Sequence, residues 1–161
     1  MSQKESFFQK KIKQKKPFRS VGAEAGVGLL TAADVLRRSW SALVEQGGVT
    51  RQQYNVLRVL RGAGEKGWPT REIAARLIEK SPGITRFVDQ LEARGLIERR
   101  RSTSDRRQVF CMITQSGLEL LGKLDQPVDE WEEWSLSILQ EKELKQLIDF
   151  LEGICSYHAD L

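Results

Sequence analysis

Most hydrophobic residues in this chain recur at intervals of three and four, which is the spacing of amphipathic helices. The first such series consists of Leu29, Ala33, Leu36, Trp40 and Leu43. It predicts a helix over residues 29–46 that ends at the glycine pair 47–48. A second helix is predicted over residues 50–61, because Thr50 and Gln53 have the spacing of a capping box.

The residues before the first predicted helix show no periodicity. They are polar and rich in lysine, and Gly22, Gly26 and Gly28 interrupt them. A segment of this composition buries too little apolar surface to order itself. Residues 1–28 are therefore expected to form a disordered basic tail, which could touch DNA phosphates.

Two short helices in the middle of the chain are predicted to form a helix-turn-helix unit. The first covers residues 70–78, with Thr70 as its N-cap. The second has Ser81 as a cap and Pro82 in its first turn, and Gly95 ends it in a left-handed turn. One face of this second helix is apolar and consists of Ile84, Phe87, Val88 and Leu91.

After Gly95 the pattern changes to the two-residue alternation of β-strands. Residues 96–98 read as one extended segment and residues 109–113 as the other. The segment between them carries five arginines, namely Arg99, Arg100, Arg101, Arg106 and Arg107. Only Glu98 and Asp105 offset their charge, so a basic β-hairpin suited to phosphates or a minor groove is predicted.

The C-terminal third returns to helical spacing. A helix is predicted to begin at Thr114 and to continue through Pro127 as one long kinked helix. Ser137 or Gln140 then leads into the last helix. Its apolar residues are close to a coiled-coil seam and comprise Leu144, Leu147, Ile148, Leu151, Ile154 and Cys155.

Two motifs in the middle of the chain resemble the multiple-antibiotic-resistance regulator (MarR) family of winged helix-turn-helix transcription factors. They are ITRFVDQLEARGLIERR, from Ile84 to Arg100, and SDRRQVFCMITQSG, from Ser104 to Gly117. The resemblance implies a mainly α (α+β) fold with a winged helix-turn-helix between N- and C-terminal dimerisation helices. The implied domain covers residues 29–158, with a winged lobe over 50–117 and dimerisation helices over 29–46 and 118–158.

The start of the second helix of the helix-turn-helix is the candidate for reading DNA sequence. Ser81, Pro82 and Gly83 keep this end of the helix narrow enough to enter a major groove. Thr85 and Arg86 are the candidates for contacting base edges, because arginine can donate two hydrogen bonds to guanine. The alternative for Arg86 is an exposed side chain paired with a neighbour on the same helix, Asp89 or Gln90.

The hairpin supplies the second group of candidate DNA contacts. Arg99, Arg100 and Arg106 are generic partners for phosphates. By the resemblance, Arg107 enters the minor groove. Asp105 is then expected to hold a neighbouring arginine and so to shape the tip of the wing.

The resemblance also implies a homodimer that binds a pseudo-palindromic operator in double-stranded DNA. One recognition helix spans few base pairs, whereas two copies related by a two-fold axis read two half-sites. Members of the family often bind small aromatic effectors between the dimer helices and the winged lobe. Trp40 and Tyr54 are candidates for lining such a cavity, although both fit core packing as well. A ligand-responsive repressor is the expected function.

Composition excludes several other classes. The chain has 161 residues, of which 40% are hydrophobic and 30% charged, as in a globular protein. It has neither an apolar run long enough for a membrane helix nor a secretory signal, so the cytoplasm is expected. His158 is the only histidine, and Cys111 and Cys155 are the only cysteines. These residues provide no zinc set and no obvious catalytic group, so no metal, cofactor or enzymatic activity is expected.

Two alternatives to a DNA-binding regulator stay open at this point. The chain could be a winged-helix protein-interaction module whose basic wing is merely solvated. It could also be a thiol redox sensor that uses Cys155. A DNA binder would lose affinity steeply as the salt concentration rises, which separates it from the interaction module.

Overall fold

The computed structural model of this chain describes residues 5–77, 83–101 and 108–158 and shows helices around one small antiparallel sheet. The helices are α1 (Phe7–Lys11), α2 (Val21–Glu45), α3 (Arg51–Ala63), α4 (Thr70–Arg76), α5 (Ile84–Ala93), α6 (Gln115–Ser135) and α7 (Glu141–Tyr157). The strands are β1 (Trp68–Pro69), β2 (Ile97–Arg101) and β3 (Val109–Ile113). The predicted mainly α (α+β) class is confirmed.

The N-terminal boundary predicted at Leu29 is wrong. α2 begins at Val21, where the Ser20 hydroxyl accepts the N–H of Ala23 at 3.1 Å. The stretch predicted to be a disordered tail also contains α1, which packs on α2. At this contact a Cβ on Gly28 would lie 2.8 Å from the ring of Phe8. Gly28, which appeared to break the helix, therefore lets an aromatic ring approach it.

α3 forms the centre of the core. Its predicted capping box is present, because the Thr50 hydroxyl accepts the N–H of Gln53 at 3.3 Å and the Gln53 side chain accepts the N–H of Thr50 at 3.0 Å. The apolar face of α3 is fully buried and consists of Tyr54, Val56, Leu57 and Leu60. α2, α4, α5, α6 and β3 all pack on this helix.

The predicted basic hairpin is present as β2 and β3. Ile97 lies opposite Ile113, and Arg101 lies opposite Val109. β2 continues through Arg101, so the first arginines of the basic run belong to a strand instead of the tip. The tip itself, residues 102–107, lies outside the described residues.

Between α3 and α4, Trp68 and Pro69 form β1 at the other edge of β3, a strand that the sequence pattern does not predict. Trp68 lies opposite Cys111, and the strand order is β1-β3-β2. Gly67 makes this pairing possible at a φ of 63°, where a Cβ would lie 2.3 Å from the Cys111 carbonyl oxygen. A two-residue strand is too short to produce any alternation in the sequence.

α4 differs from its prediction at both ends. Its N-cap is Pro69, and the predicted cap Thr70 is instead its first helical residue. The Thr70 hydroxyl lies 3.8 Å from the sulfur of Cys111, which is fully buried. The helix ends at Arg76, and the predicted last residue, Ile78, lies outside the described residues.

α6 and α7 complete the chain. α6 runs through Pro127 as predicted, and the Nε1 of Trp131 donates to the Ser39 hydroxyl of α2 at 3.0 Å. Gln140 is the N-cap of α7, which was one of two predicted starts. α7 has no buried residue, and Cys155 on it is exposed. Within the described ranges, each helix is too short or too polar to cross a membrane.

Candidate nucleic-acid interface

α5 separates a buried apolar face from an exposed polar one. Phe87, Val88 and Leu91 are buried against the core. Gly83, Thr85 and Arg86 are all exposed at the start of the helix. This end of α5 therefore presents small, polar and cationic groups to solvent, as the sequence predicts.

The N-cap residue of α5 offers no capping side chain. The helix begins at Ile84, and its N-cap is Gly83 at a φ of 126°. The predicted cap Ser81 and the first-turn Pro82 lie outside the described residues. Within the described residues no side chain caps the first N–H groups of α5, and together with the helix dipole these groups favour an anionic group such as a phosphate.

Arg86 has no carboxylate partner among the described residues. Its guanidinium carbon lies 5.6 Å from the centroid of the Phe87 ring. The neighbours that could have neutralised it are engaged elsewhere. Asp89 pairs with Arg99, and the Gln90 side chain accepts a hydrogen bond from Gln53 at 3.1 Å. The cationic end of Arg86 is therefore available to a ligand.

A tight turn fixes the angle between α5 and β2. Gly95 adopts a φ of 69°, and its N–H donates to the Glu92 carbonyl at 2.8 Å. The N–H of Leu96 donates to the Leu91 carbonyl at 3.0 Å, which completes a Schellman motif. The Thr114 hydroxyl also donates to the Gly95 carbonyl at 2.7 Å. The wing, formed by β2 and β3, thus has a defined direction relative to α5.

Arg99 joins the same two elements through charge. Its guanidinium donates to Asp89, and it also donates to Glu92 Oε2 at 2.9 Å. The side chain is only 28% exposed. The hydrogen bond to Asp89, with the nearby charge of Glu92, raises the pKa of Arg99. Arg99 was predicted to contact phosphates, but its donors already hold β2 against α5.

The other predicted wing residues divide into two groups. Arg100 is 67% exposed and pairs with Glu98 of its own strand at 2.6 Å. A surface pair of this kind is weak and can exchange for a phosphate. Arg106, Arg107 and Asp105 lie outside the described residues, so their predicted contacts stay predictions.

Asp89, Glu92 and Arg94 are the parts of this site that the sequence interpretation missed. Arg94 Nη1 donates to the Gly48 carbonyl at 2.8 Å and so ties the end of α5 to the loop between α2 and α3. Asp89 and Glu92 are three residues apart and share a face of α5. That spacing, followed by a cation at the start of a strand, is the sequence signal for the two ion pairs.

The candidate effector residues occupy different positions. Tyr54 is fully buried, and its hydroxyl has no hydrogen-bond partner in the described part of the chain. Burial raises the pKa of Tyr54, while Arg58 nearby opposes the shift. Trp40 packs edge-on against Tyr54 and Trp131, with ring centroids 5.7 and 4.8 Å away. Unlike Tyr54, Trp40 lines an open cleft.

This cleft has a volume of about 960 Å³ and lies between α2, α3, α6 and α7. Its apolar floor is formed by Trp40 and Trp131. Asn55, Arg37 and Arg58 lie on its walls, together with Asp34 and Glu132, the exposed acidic partners of the two arginines. The combination of aromatic rings and a few polar groups is typical of sites for small organic ligands.

Residues 49–109 match the model of the MarR family. A MarR transcription factor from Planctomyces limnophilus has a solved structure with 37% sequence identity and a TM-score of 0.65, and the similarity covers 84% of this chain and 98% of that chain. The chain belongs to the MarR family.

Two further solved structures of similar proteins carry bound ligands. The S. aureus MepR–DNA complex is 25% identical with a TM-score of 0.73, and the similarity covers 80% of this chain and 94% of that chain. CouR from Rhodococcus jostii RHA1, bound to p-coumaroyl-CoA, is 25% identical with a TM-score of 0.69, and the coverage is 85% and 95%. This MarR-family chain is a DNA-binding transcriptional regulator with a winged helix-turn-helix fold.

Proposed function

We propose that this MarR-family regulator is a homodimeric repressor that binds a pseudo-palindromic operator and releases it when a small aromatic effector binds. The observation that carries the proposal is the exposed, cationic start of α5 beside a wing held in a fixed direction. This arrangement can offer one duplex a recognition helix and a basic hairpin at the same time.

In the proposed complex, α5 enters the major groove. Thr85 and Arg86 read base edges, while Ser81, Pro82 and Gly83 allow the helix end to come close. The wing contacts the backbone through Arg100 and Arg106, and Arg107 enters the minor groove beside Asp105. Arg99 serves this site indirectly, because it orients the wing.

The homodimer is supported by apolar residues that stay largely exposed in the described part of the chain. They lie on α2 and α7 and include Val21 (86% exposed), Leu30 (74%), Ile148 (52%), Phe150 (69%) and Tyr157 (84%). Exposed apolar surface of this kind marks an interaction site. A second copy would cover it and would place two recognition helices on one duplex.

The effector is expected in the cleft between α2, α3, α6 and α7. Trp40 and Trp131 can stack on an aromatic ring, and Arg37 and Arg58 can meet an anionic substituent. The p-coumaroyl group bound by CouR, at 25% identity, is an aromatic ligand of this general kind. The cleft joins the helices proposed for dimerisation to α3 of the winged lobe, so a ligand there would favour one relative arrangement over another.

The test is selection of binding sites by the purified chain from a pool of random duplex DNA. The expected result is a pseudo-palindrome whose affinity falls steeply with rising salt, because bound cations are released from the phosphates. Recovery of no preferred duplex at low ionic strength would contradict the proposal. A selected sequence without two-fold symmetry would contradict its dimeric part.

A further inference from the structure

The N-terminal lobe, defined as residues 5–19, carries an unpaired positive charge. Its cations are all exposed and are Lys10, Lys11, Lys13, Lys15, Lys16 and Arg19. None of them forms an ion pair with another described residue, and Glu5 is the only acidic residue of the lobe. Phe7 on the same lobe is 70% exposed. Among the described residues the charge of the lobe is thus not neutralised, and most of the Phe7 side chain is open to solvent.

This lobe lies far from the DNA-reading end of its own chain. It packs at the N-terminal end of α2, whose 25 residues span about 37 Å. The opposite end of α2 leads into Gly48, to which Arg94 of the recognition-helix turn donates. A lobe at this distance is poorly placed to reach the groove that α5 of the same chain would enter.

A surface of opposite charge lies at the C-terminal end of α2. We call it the acidic groove, a depression of about 340 Å³ lined by Leu43, Gln46, Pro127, Glu130, Trp131 and Trp134. The side chain of Trp134, which lines this groove, is 68% exposed. Glu130 is the acidic residue of this lining, and Asp129 and Glu133 are exposed on the same stretch of α6. None of the three forms an ion pair with another described residue.

We propose that the acidic groove of each protomer receives the basic N-terminal lobe of the second copy. In a two-fold dimer every contact occurs twice, so one chain can supply both opposite charges. If α2 packs antiparallel on its copy, the N-terminal end of one α2 lies beside the C-terminal end of the other, where the groove opens. Phe7 then meets Trp134 and Pro127, and the cations face Glu130 in the groove and the neighbouring Asp129 and Glu133 on α6. The inference rests on the proposed homodimer and adds the part of its interface that depends on charge.

Two triple variants test this contact. The lobe variant reverses the charge of the lobe and combines Lys15→Glu, Lys16→Glu and Arg19→Glu. The groove variant reverses the charge at the groove and combines Asp129→Lys, Glu130→Lys and Glu133→Lys. Neither set places a charge against a helix dipole. Each variant alone should raise the dimer dissociation constant at least about tenfold at low salt, because like charges then face each other. Sedimentation velocity over a dilution series measures this constant.

Single reversals elsewhere provide matched controls. Lys66→Glu and Glu119→Lys change exposed charges outside both surfaces and should leave the dimer dissociation constant unchanged. Circular dichroism of every variant checks that it is folded. In the wild type, the dissociation constant should rise between about 0.05 and 0.5 M salt, since screening weakens exposed charge pairs.

An equimolar mixture of the two triple variants gives the decisive result. Each variant should pair poorly with itself, but the two should form a heterodimer, because lobe and groove are again opposite in charge at both contacts. Folded variants that dimerise like the wild type would overturn the inference, and so would a mixture that stays monomeric.

Operator binding measured in parallel separates this inference from the proposed function. If all variants dimerise normally and bind the operator, only the lobe–groove contact is refuted. If the lobe variant binds the operator more weakly at an unchanged dimer dissociation constant, the lobe contacts DNA and the inference is overturned. A wild-type chain that is monomeric and prefers no duplex would refute both.

Discussion

Arg99 lies in the wing of a DNA-binding protein, but its guanidinium donates hydrogen bonds to other residues of the protein. Its two carboxylate partners lie on α5, so the ion pairs cross from wing to recognition helix. Arg100, the next residue, points its charge to solvent. The two arginines therefore offer a direct comparison between positioning a DNA-binding element and contacting DNA.

Arg99→Ala and Arg100→Ala are expected to weaken operator binding in different ways. Loss of Arg100 removes a phosphate contact, so the slope of log affinity against log salt should fall by about one. Loss of Arg99 frees the wing and leaves Asp89 and Glu92 unneutralised, so affinity should fall while the slope stays unchanged. Fluorescence anisotropy titrations at several salt concentrations measure both quantities. An equal loss of slope in both variants would show that Arg99 contacts phosphate.

Arg86 is the residue from which base discrimination is expected. Replacing it by alanine should weaken the binding free energy for the preferred operator by about 1–3 kcal/mol. Binding to an operator in which the contacted base is substituted should change little. Arg100→Ala is the matched control, because it should weaken all sequences equally. Competition between the operator and single-base variants of it gives the measurement. Unchanged base preference in Arg86→Ala would remove Arg86 from the reading surface.

At the scale of elements, periodicity predicted those helices whose apolar residues face the protein's own core. α3 and α5 are of this kind, since Leu57 and Leu91 are fully buried. Periodicity did not predict α1 and the start of α2, because these helices contact each other at Gly28, a residue that normally argues against a helix. The sequence pattern did not predict β1, because its pairing with β3 is a tertiary contact and two residues are too few to show alternation.

The candidate site divides in the same way. The exposure of Thr85 and Arg86 follows from helical spacing, because they lie opposite the apolar stripe. The ion pairs of Arg99 depend on how a strand turns back over a helix, which the geometry at Gly95 sets. Local patterns therefore predicted which residues face solvent, but not which of them are already neutralised.

Gly67 tests the packing of β1 against β3. Gly67→Ala should lower the free energy of unfolding by about 2 kcal/mol or more, because the positive φ and the clash with the Cys111 carbonyl both oppose a Cβ. Gly62 in α3 has open space around it, so Gly62→Ala should raise that free energy by about 0.5–1 kcal/mol. Urea denaturation of the two variants measures the difference. Equal effects would show that the β1–β3 contact is loose.

At the scale of the whole molecule, charge is divided between two ends of the chain. The N-terminal lobe is basic, and residues 125–152 contain nine acidic residues against Lys142 and Lys145. The winged lobe between them carries the cations proposed to meet DNA. If the two ends neutralise each other across the dimer, the positive charge left exposed is that of the winged lobe, including Arg86, which has no described carboxylate partner. The dimer would then direct the duplex to one face only.

The affinity of a dimer of this kind should also depend on the distance between the two half-sites. Two recognition helices held by one interface fit half-sites whose centres are about 10 base pairs apart on one face of the duplex. Inserting about 5 base pairs at the centre of the selected operator turns one half-site to the opposite face, so affinity should fall towards that of a single half-site. The same number of bases added outside the half-sites is the control and should change nothing. Anisotropy titrations compare the three duplexes. Full affinity for the centrally lengthened operator would mean that the two winged lobes bind independently, since a rigid interface cannot follow half a turn of DNA.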